Sequence, residues 1–126
     1  MRSQSYVQGT YGYPTDLWET AKAEAFHVLK AKAAAEGLMT YGELTHQISA
    51  INFDPHGYDF RHFLGQLSSE SDAAGEGMIT ALVIYKEGDQ LPGPGFFDLA
   101  KRLGRDISDR VKCWSEEVKR VHRAAA

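Results

Sequence analysis

A chain of 126 residues with 43% hydrophobic and 25% charged side chains has the length of one domain and an ordinary globular composition, which excludes a disordered polymer and a multi-domain assembly. Its longest apolar run, Met78 to Tyr85 with Thr80 allowed, is too short to span a membrane. The start MRSQSYVQGTYGYPT lacks the apolar core of a secretory signal, and the single Cys113 cannot close an internal disulfide, so a cytoplasmic, reduced protein with no membrane partner is expected.

The formal net charge of −3 hides a gradient: residues 58–90 carry two basic and six acidic side chains, residues 91–126 eight basic and five acidic ones. A nucleic-acid partner would have to bind despite that acidic middle, because phosphate contacts supply most non-specific affinity.

Residues 1–15 read as a polar arm with tyrosines at 6, 11 and 13; they stay loose or pack those rings on the body or on a partner. Residues 16–126 form the domain. The first helix is expected from Asp16 to Glu36, with Asp16 and Glu19 as a capping box, Trp18, Ala21, Ala25, Val28 and Leu29 at helical spacing, and Gly37 as the C-cap. Leu38 and Met39 suit a short edge strand. Thr40 and Glu43 make a second capping box, and Leu44, Ile48 and Ile51 carry the second helix from Tyr41 to about Ala50. NFDPHGY is a loop.

The third helix places Phe60, Phe63, Leu64 and Leu67 inward, leaving Asp59, Arg61, His62, Gln66 and Ser69 outside. MITALVIYK, at 78–86, reads as the main strand, followed by a turn at EGDQ and a short return strand near Gln90 and Leu91 that Pro92 and Pro94 curtail. A fourth helix begins near Gly95 or Phe96 and ends at Gly104. A fifth runs from Ile107 to Arg123, with Ile107, Val111, Trp114, Val118 and Val121 alternating at spacings of four and three. The fold class expected is α+β, mainly helical: a winged helix-turn-helix-like core with a small β-hairpin and two additional C-terminal helices.

TYGEL at 40–44, HFLG at 62–65 and the strand ending in Val83 and Ile84, with Gly88 in the turn behind it, carry a resemblance. Over Met39 to about Gly104 the chain resembles the DNA-binding domain of the alkylguanine-DNA alkyltransferases and of their inactive alkyltransferase-like relatives. The resemblance puts Thr80, Ala81 and Leu82 where that family has its Cys-His-Arg, and His62 where it has its helix-turn-helix arginine. It implies a winged-helix topology and a contact from Tyr41 to a nucleic-acid backbone. It implies no alkyl transfer, since Thr80 and Ala81 supply neither a thiolate nor the base that activates one. The chain is also similar to small uncharacterised bacterial proteins that pair a YGEL helix with a TALV…PGPGFF segment.

No residue set matches a catalytic triad pattern or a metal-ligand spacing, and neither a cofactor nor a metal is expected. His46, His56 and His62 could meet only around the loop between helices two and three, and Asp54, Asp59, Glu70, Asp72 and Glu76 read as a solvated face. The function expected is therefore binding without turnover. In the leading reading nucleic acid is the partner: Tyr41, Arg61, His62 and Gln66 make the contacts, and Lys86 on the wing adds a phosphate contact. In a second reading helix 107–123 forms a protein-interaction or homodimer face through Val111, Trp114, Val118 and Val121. In a third, the 92–97 turn binds an anion or small molecule through Gly93, Gly95 and Phe96, beside Tyr41 and His62.

Overall fold

The computed structural model describes residues 10–126. The first nine residues of the expected arm, Tyr6 among them, lie outside the described residues. Helix α1 spans Thr15–Ala34, strand β1 Met39–Thr40, helix α2 Tyr41–Gln47 and helix α3 Tyr58–Ala73. A 3₁₀ turn follows at Ile79–Leu82, then strand β2 at Val83–Ile84, helix α4 at Pro94–Arg102 and helix α5 at Arg110–Ala125. The architecture is α+β and mainly helical.

Local chemistry sets most of the boundaries. The capping box at α2 forms as expected: Thr40 Oγ1 accepts from the Glu43 N–H, and the Glu43 carboxylate accepts from the Thr40 N–H at 2.8 Å. The expected box at α1 does not form. Pro14 occupies the N-cap without a side-chain bond, and Glu19 pairs with Lys22 instead. At the other end of α1, Glu36 and not Gly37 takes the left-handed conformation (φ 55°), and Gly37 N–H closes the last turn on Lys32 C=O. Helix α2 stops at Gln47, three residues short of the expected end. Glu24, on α1, draws the Ser49 and Ala50 N–H groups onto its carboxylate at 3.1 and 2.9 Å. The hydrogen bond from the Ser49 hydroxyl and those amides hold that carboxyl below its usual range. Pro94 takes the first position of α4, where its missing N–H has no bond to lose. Asp109 caps α5, its carboxylate accepting from Lys112 N–H at 3.1 Å, so this helix starts three residues later than its apolar spacing suggests.

The expected β-hairpin is not formed. Met39 pairs with Val83 and Thr40 with Ile84 in a parallel two-stranded sheet, and MITALVIYK contributes only Val83–Ile84 to it. The preceding ITAL is a buried 3₁₀ turn packed against α1, α3 and α5. Burial on every side makes such a segment apolar throughout, and an unbroken apolar run carries no periodicity to separate strand from turn. The expected return strand is a single bond, Tyr85 N–H to Leu91 C=O at 3.0 Å, which closes the 86–90 loop.

Two apolar clusters make the core. Trp18, Phe53, Phe60 and Phe63 centre the larger one between α1 and α3, and Met78, Phe96, Phe97 and Cys113 the smaller one between α4 and α5; Val118 touches both. The side of α5 that faces inward is Cys113, Glu117 and Val121, a stripe rotated from the expected seam because Glu117 is buried. Glu117 accepts from Arg105 Nε at 3.0 Å and from Met78 N–H at 2.8 Å, and also pairs with Arg120; Arg105 Nη2 reaches Asp72 at 2.6 Å.

Candidate functional site

Four stretches distant in sequence, at 41, 55–65, 80–85 and 93–99, converge on one small cavity of about 80 Å³. Tyr41, the first residue of α2, forms one wall together with Tyr85, which follows β2; their ring centroids are 5.0 Å apart. Phe60, Arg61, Leu64 and Gly65 of α3 form a second wall, and Thr80 of the 3₁₀ turn lines the cavity beside them. The turn before α4 closes it with Gly93, Pro94, Gly95 and Phe96. Tyr41 Oη accepts from Gly93 N–H at 2.7 Å, so the PGPG turn is latched to the start of α2. A Cβ at 93 would stand 2.8 Å from Tyr85 Oη, so a larger residue there would have to displace the Tyr85 ring from the cavity wall. Burial pushes the Tyr41 phenol up, against the opposing pull of the Gly93 N–H, and Tyr41 therefore stays a neutral hydroxyl at physiological pH. The Thr80 hydroxyl is bonded to Ser68 Oγ; among the described residues it has no activating base as a partner.

Arg61 also borders a second, open groove of about 510 Å³ between α3 and α4, with Tyr58, His62, Gly65, Gln66 and Arg102 along it. Its guanidinium lies 5.2 Å from the Tyr58 ring centroid and makes no ion pair with a described residue. His62 and Gln66, expected as freely exposed contacts, are held in place: Trp18 Nε1 donates to Gln66 Oε1 at 2.8 Å, Gln66 Nε2 meets His62 Nε2 at 3.2 Å, and the Tyr11 ring lies 5.0 Å from the imidazole. Tyr11 and Tyr13 of the expected loose arm thus pack on the body.

Tyr13 donates to Asp59 at 2.6 Å, and that hydrogen bond, with burial behind it, pushes the Tyr13 phenol from its usual 10.0 up to about 12. Its folded value exceeds its unfolded one, so the bond's contribution to stability is fully present below pH 10 and is lost as pH rises toward about 12. The stability gap between wild type and Tyr13→Phe, from denaturant titrations, is expected to be flat below pH 10 and to shrink between pH 10 and 12. A gap unchanged across that window would remove Asp59 as the cause.

The other expected site residues lie apart. Lys86 is exposed on the 86–90 loop and lines neither cavity. On α5, Val121 is in the core, Val118 packs against both clusters and Trp114 Nε1 donates to Ala81 C=O at 2.8 Å; Val111 is exposed. The acidic middle is less solvated than expected: Glu70 pairs with Lys22 and Asp72 with Arg105. Burial pushes the Cys113 thiol up, away from thiolate chemistry. Among the described residues no three His, Cys, Asp or Glu side chains converge to hold a metal ion, and no helix is long and apolar enough to cross a membrane.

Tyr85 was not singled out from the sequence and Thr80 only through the resemblance; neither was Gly65, beyond its place in HFLG, nor Tyr58. Two signals could have found the last pair: a glycine in the middle of a helix, and an aromatic residue lying off the apolar stripe of α3. No family model matches the chain, and no curated protein or solved structure matches it.

Proposed function

We propose that this chain is a non-enzymatic, winged-helix-like binding module for nucleic acid that holds one unpaired base in the cavity beside Tyr41. The observation that carries this reading is Arg61, a cation without a carboxylate partner among the described residues that borders both the cavity and the groove outside it. A base extruded from its stack needs an aromatic-walled slot and a cation near its phosphates; Tyr41, Tyr85 and Phe96 supply the first, Arg61 the second. The order α2, α3, loop 86–90 matches helix, recognition helix and wing, with a loop in place of a hairpin. The resemblance to the alkyltransferase DNA-binding domain points the same way. In that reading Thr80, bonded to Ser68, stands where chemistry would occur, and the base is bound and released unchanged. Pairing of Glu70 with Lys22 and of Asp72 with Arg105 lowers the electrostatic objection to a phosphate-bearing partner.

Titration of labelled duplex DNA, fully paired or with one unpaired base, tests the reading at two salt concentrations. Binding is expected at about 50 mM salt, weaker at higher salt, and tighter when a base is unpaired. Arg61→Ala is expected to weaken it by about 1.5–3 kcal/mol, the range of a hydrogen bond to a charged group. No binding to either duplex at the lower salt would overturn the proposal.

A further inference from the structure

Resting on that reading, we propose that the groove between α3 and α4 is a track for a single-stranded run of nucleic acid, so that the nucleotides flanking the pocketed base are unpaired as well. The first support is Gly65. It lies inside α3, where glycine is about 1 kcal/mol less favourable than alanine, and neither its backbone nor its surroundings require it. It has no left-handed φ, and a Cβ built on it meets nothing within 4 Å. What the missing side chain does is keep open the floor at which cavity and groove join, since Gly65 borders both.

The aromatic residues of the groove are the second support. Tyr58 is 76% exposed and Tyr11 55%, and neither ring is loose: Arg61 lies over the first and His62 against the second. A large aromatic surface held in place and left open to solvent on a track with cations is what successive bases stack on, each base contributing about 1–3 kcal/mol. A duplex keeps its base faces stacked on one another and offers none to these rings; a single strand does. The charge on the lining agrees. Arg61 and Arg102 make no ion pair with a described residue, whereas Glu70 pairs with Lys22, a cation it shares with Glu19, and Asp98 is the other carboxylate of the lining.

The experiment is fluorescence anisotropy with labelled mixed-sequence DNA of about 12 nucleotides, within the usual site size of such grooves, as a single strand, as a paired duplex and as a duplex with one unpaired base. The single strand is expected to bind more tightly than either duplex. Tyr58→Ala, a change at an exposed side chain that leaves the core untouched, is expected to weaken single-strand binding roughly 5- to 150-fold, which is the stacking range above expressed as a ratio. Gly65→Leu, which fills the floor and improves the helix, is expected to keep or raise the melting temperature and to weaken binding at least about tenfold. If the unpaired-base duplex binds and the single strand does not bind better, or if neither variant changes single-strand affinity, this inference is overturned and the broader reading stands. If none of the three DNAs binds, both fall.

Discussion

Glu117→Ala is expected to destabilise the protein by about 3–5 kcal/mol, the range for removing one partner of a buried ion pair. Glu117 is 1% exposed, and three groups converge on its carboxylate: the Arg105 guanidinium, the Arg120 guanidinium and the Met78 N–H. Each belongs to a different part of the chain, so one side chain ties α5 to the segment between α4 and α5 and to the entrance of the 3₁₀ turn. Alanine leaves the Met78 N–H without an acceptor in a site closed to water, opens a cavity, and leaves Arg105 with Asp72 and the Leu103 carbonyl. Small domains have total stabilities of about 5–15 kcal/mol, so a loss of this size approaches half of a mid-range value. Glu117→Gln keeps the shape and one acceptor oxygen but turns an amide NH₂ toward donors, and a loss of about 1–3 kcal/mol is expected. Both losses should change little with salt, because buried pairs are screened weakly. Chemical denaturation measures all of this. A cost under about 1 kcal/mol for the alanine variant would place Glu117 among solvated surface pairs and would sink the assignment.

The same residue shows which parts of the fold were legible in the sequence. Glu117 reads as a surface acid because glutamate is rarely buried unless paired, and its partners Arg105 and Met78 lie 12 and 39 residues away. Local signals were informative. The Thr40–Glu43 box starts α2 where its pattern says, and Phe60, Phe63, Leu64 and Leu67 face inward on α3 as their spacing requires. Non-local pairings were not. Nothing near Val83 announces that its strand partner is Met39, and the alternation expected of a hairpin is absent because the residues around it are buried on all sides. The end of α2 was hidden for a similar reason, as its stop signal is a carboxylate on α1. The candidate site divides along the same line. Tyr41, Arg61, Gly93, Gly95 and Phe96 were each singled out, under two competing readings, and one cavity brings all five together. The bond that joins the two groups, Gly93 N–H to Tyr41 Oη, spans 52 residues and has no counterpart in any short stretch of sequence.

Trp18 links that core to the candidate interface, and its replacement separates the two roles. Trp18→Ala removes a ring that is 1% exposed and packed edge-on to Phe53 and Phe63 at centroid distances of 5.9 and 5.2 Å, and a loss of about 3–5 kcal/mol is expected. Trp18→Phe keeps most of the apolar volume but deletes the indole N–H that donates to Gln66. Its expected cost is smaller, about 1–2 kcal/mol, made up of one lost hydrogen bond and some repacking. The second variant carries the functional information. Without the indole, Gln66 loses a bond that fixes it against α1, and His62 and Tyr11 lose the support that Gln66 gives them along the groove. Ordering a side chain on binding costs about 0.5–1.5 kcal/mol, so loosening Gln66, which keeps its contact with His62, should weaken oligonucleotide binding by up to roughly tenfold, measured well below the melting temperature. Tyr13→Phe serves as the control, since Tyr13 also stacks on Trp18 but lines neither cavity. If Trp18→Phe and Tyr13→Phe lower stability and leave affinity equally unchanged, α3 presents its outer face without help from α1. If only Trp18→Phe weakens binding, the aromatic core sets the geometry of the interface as well as the stability of the fold.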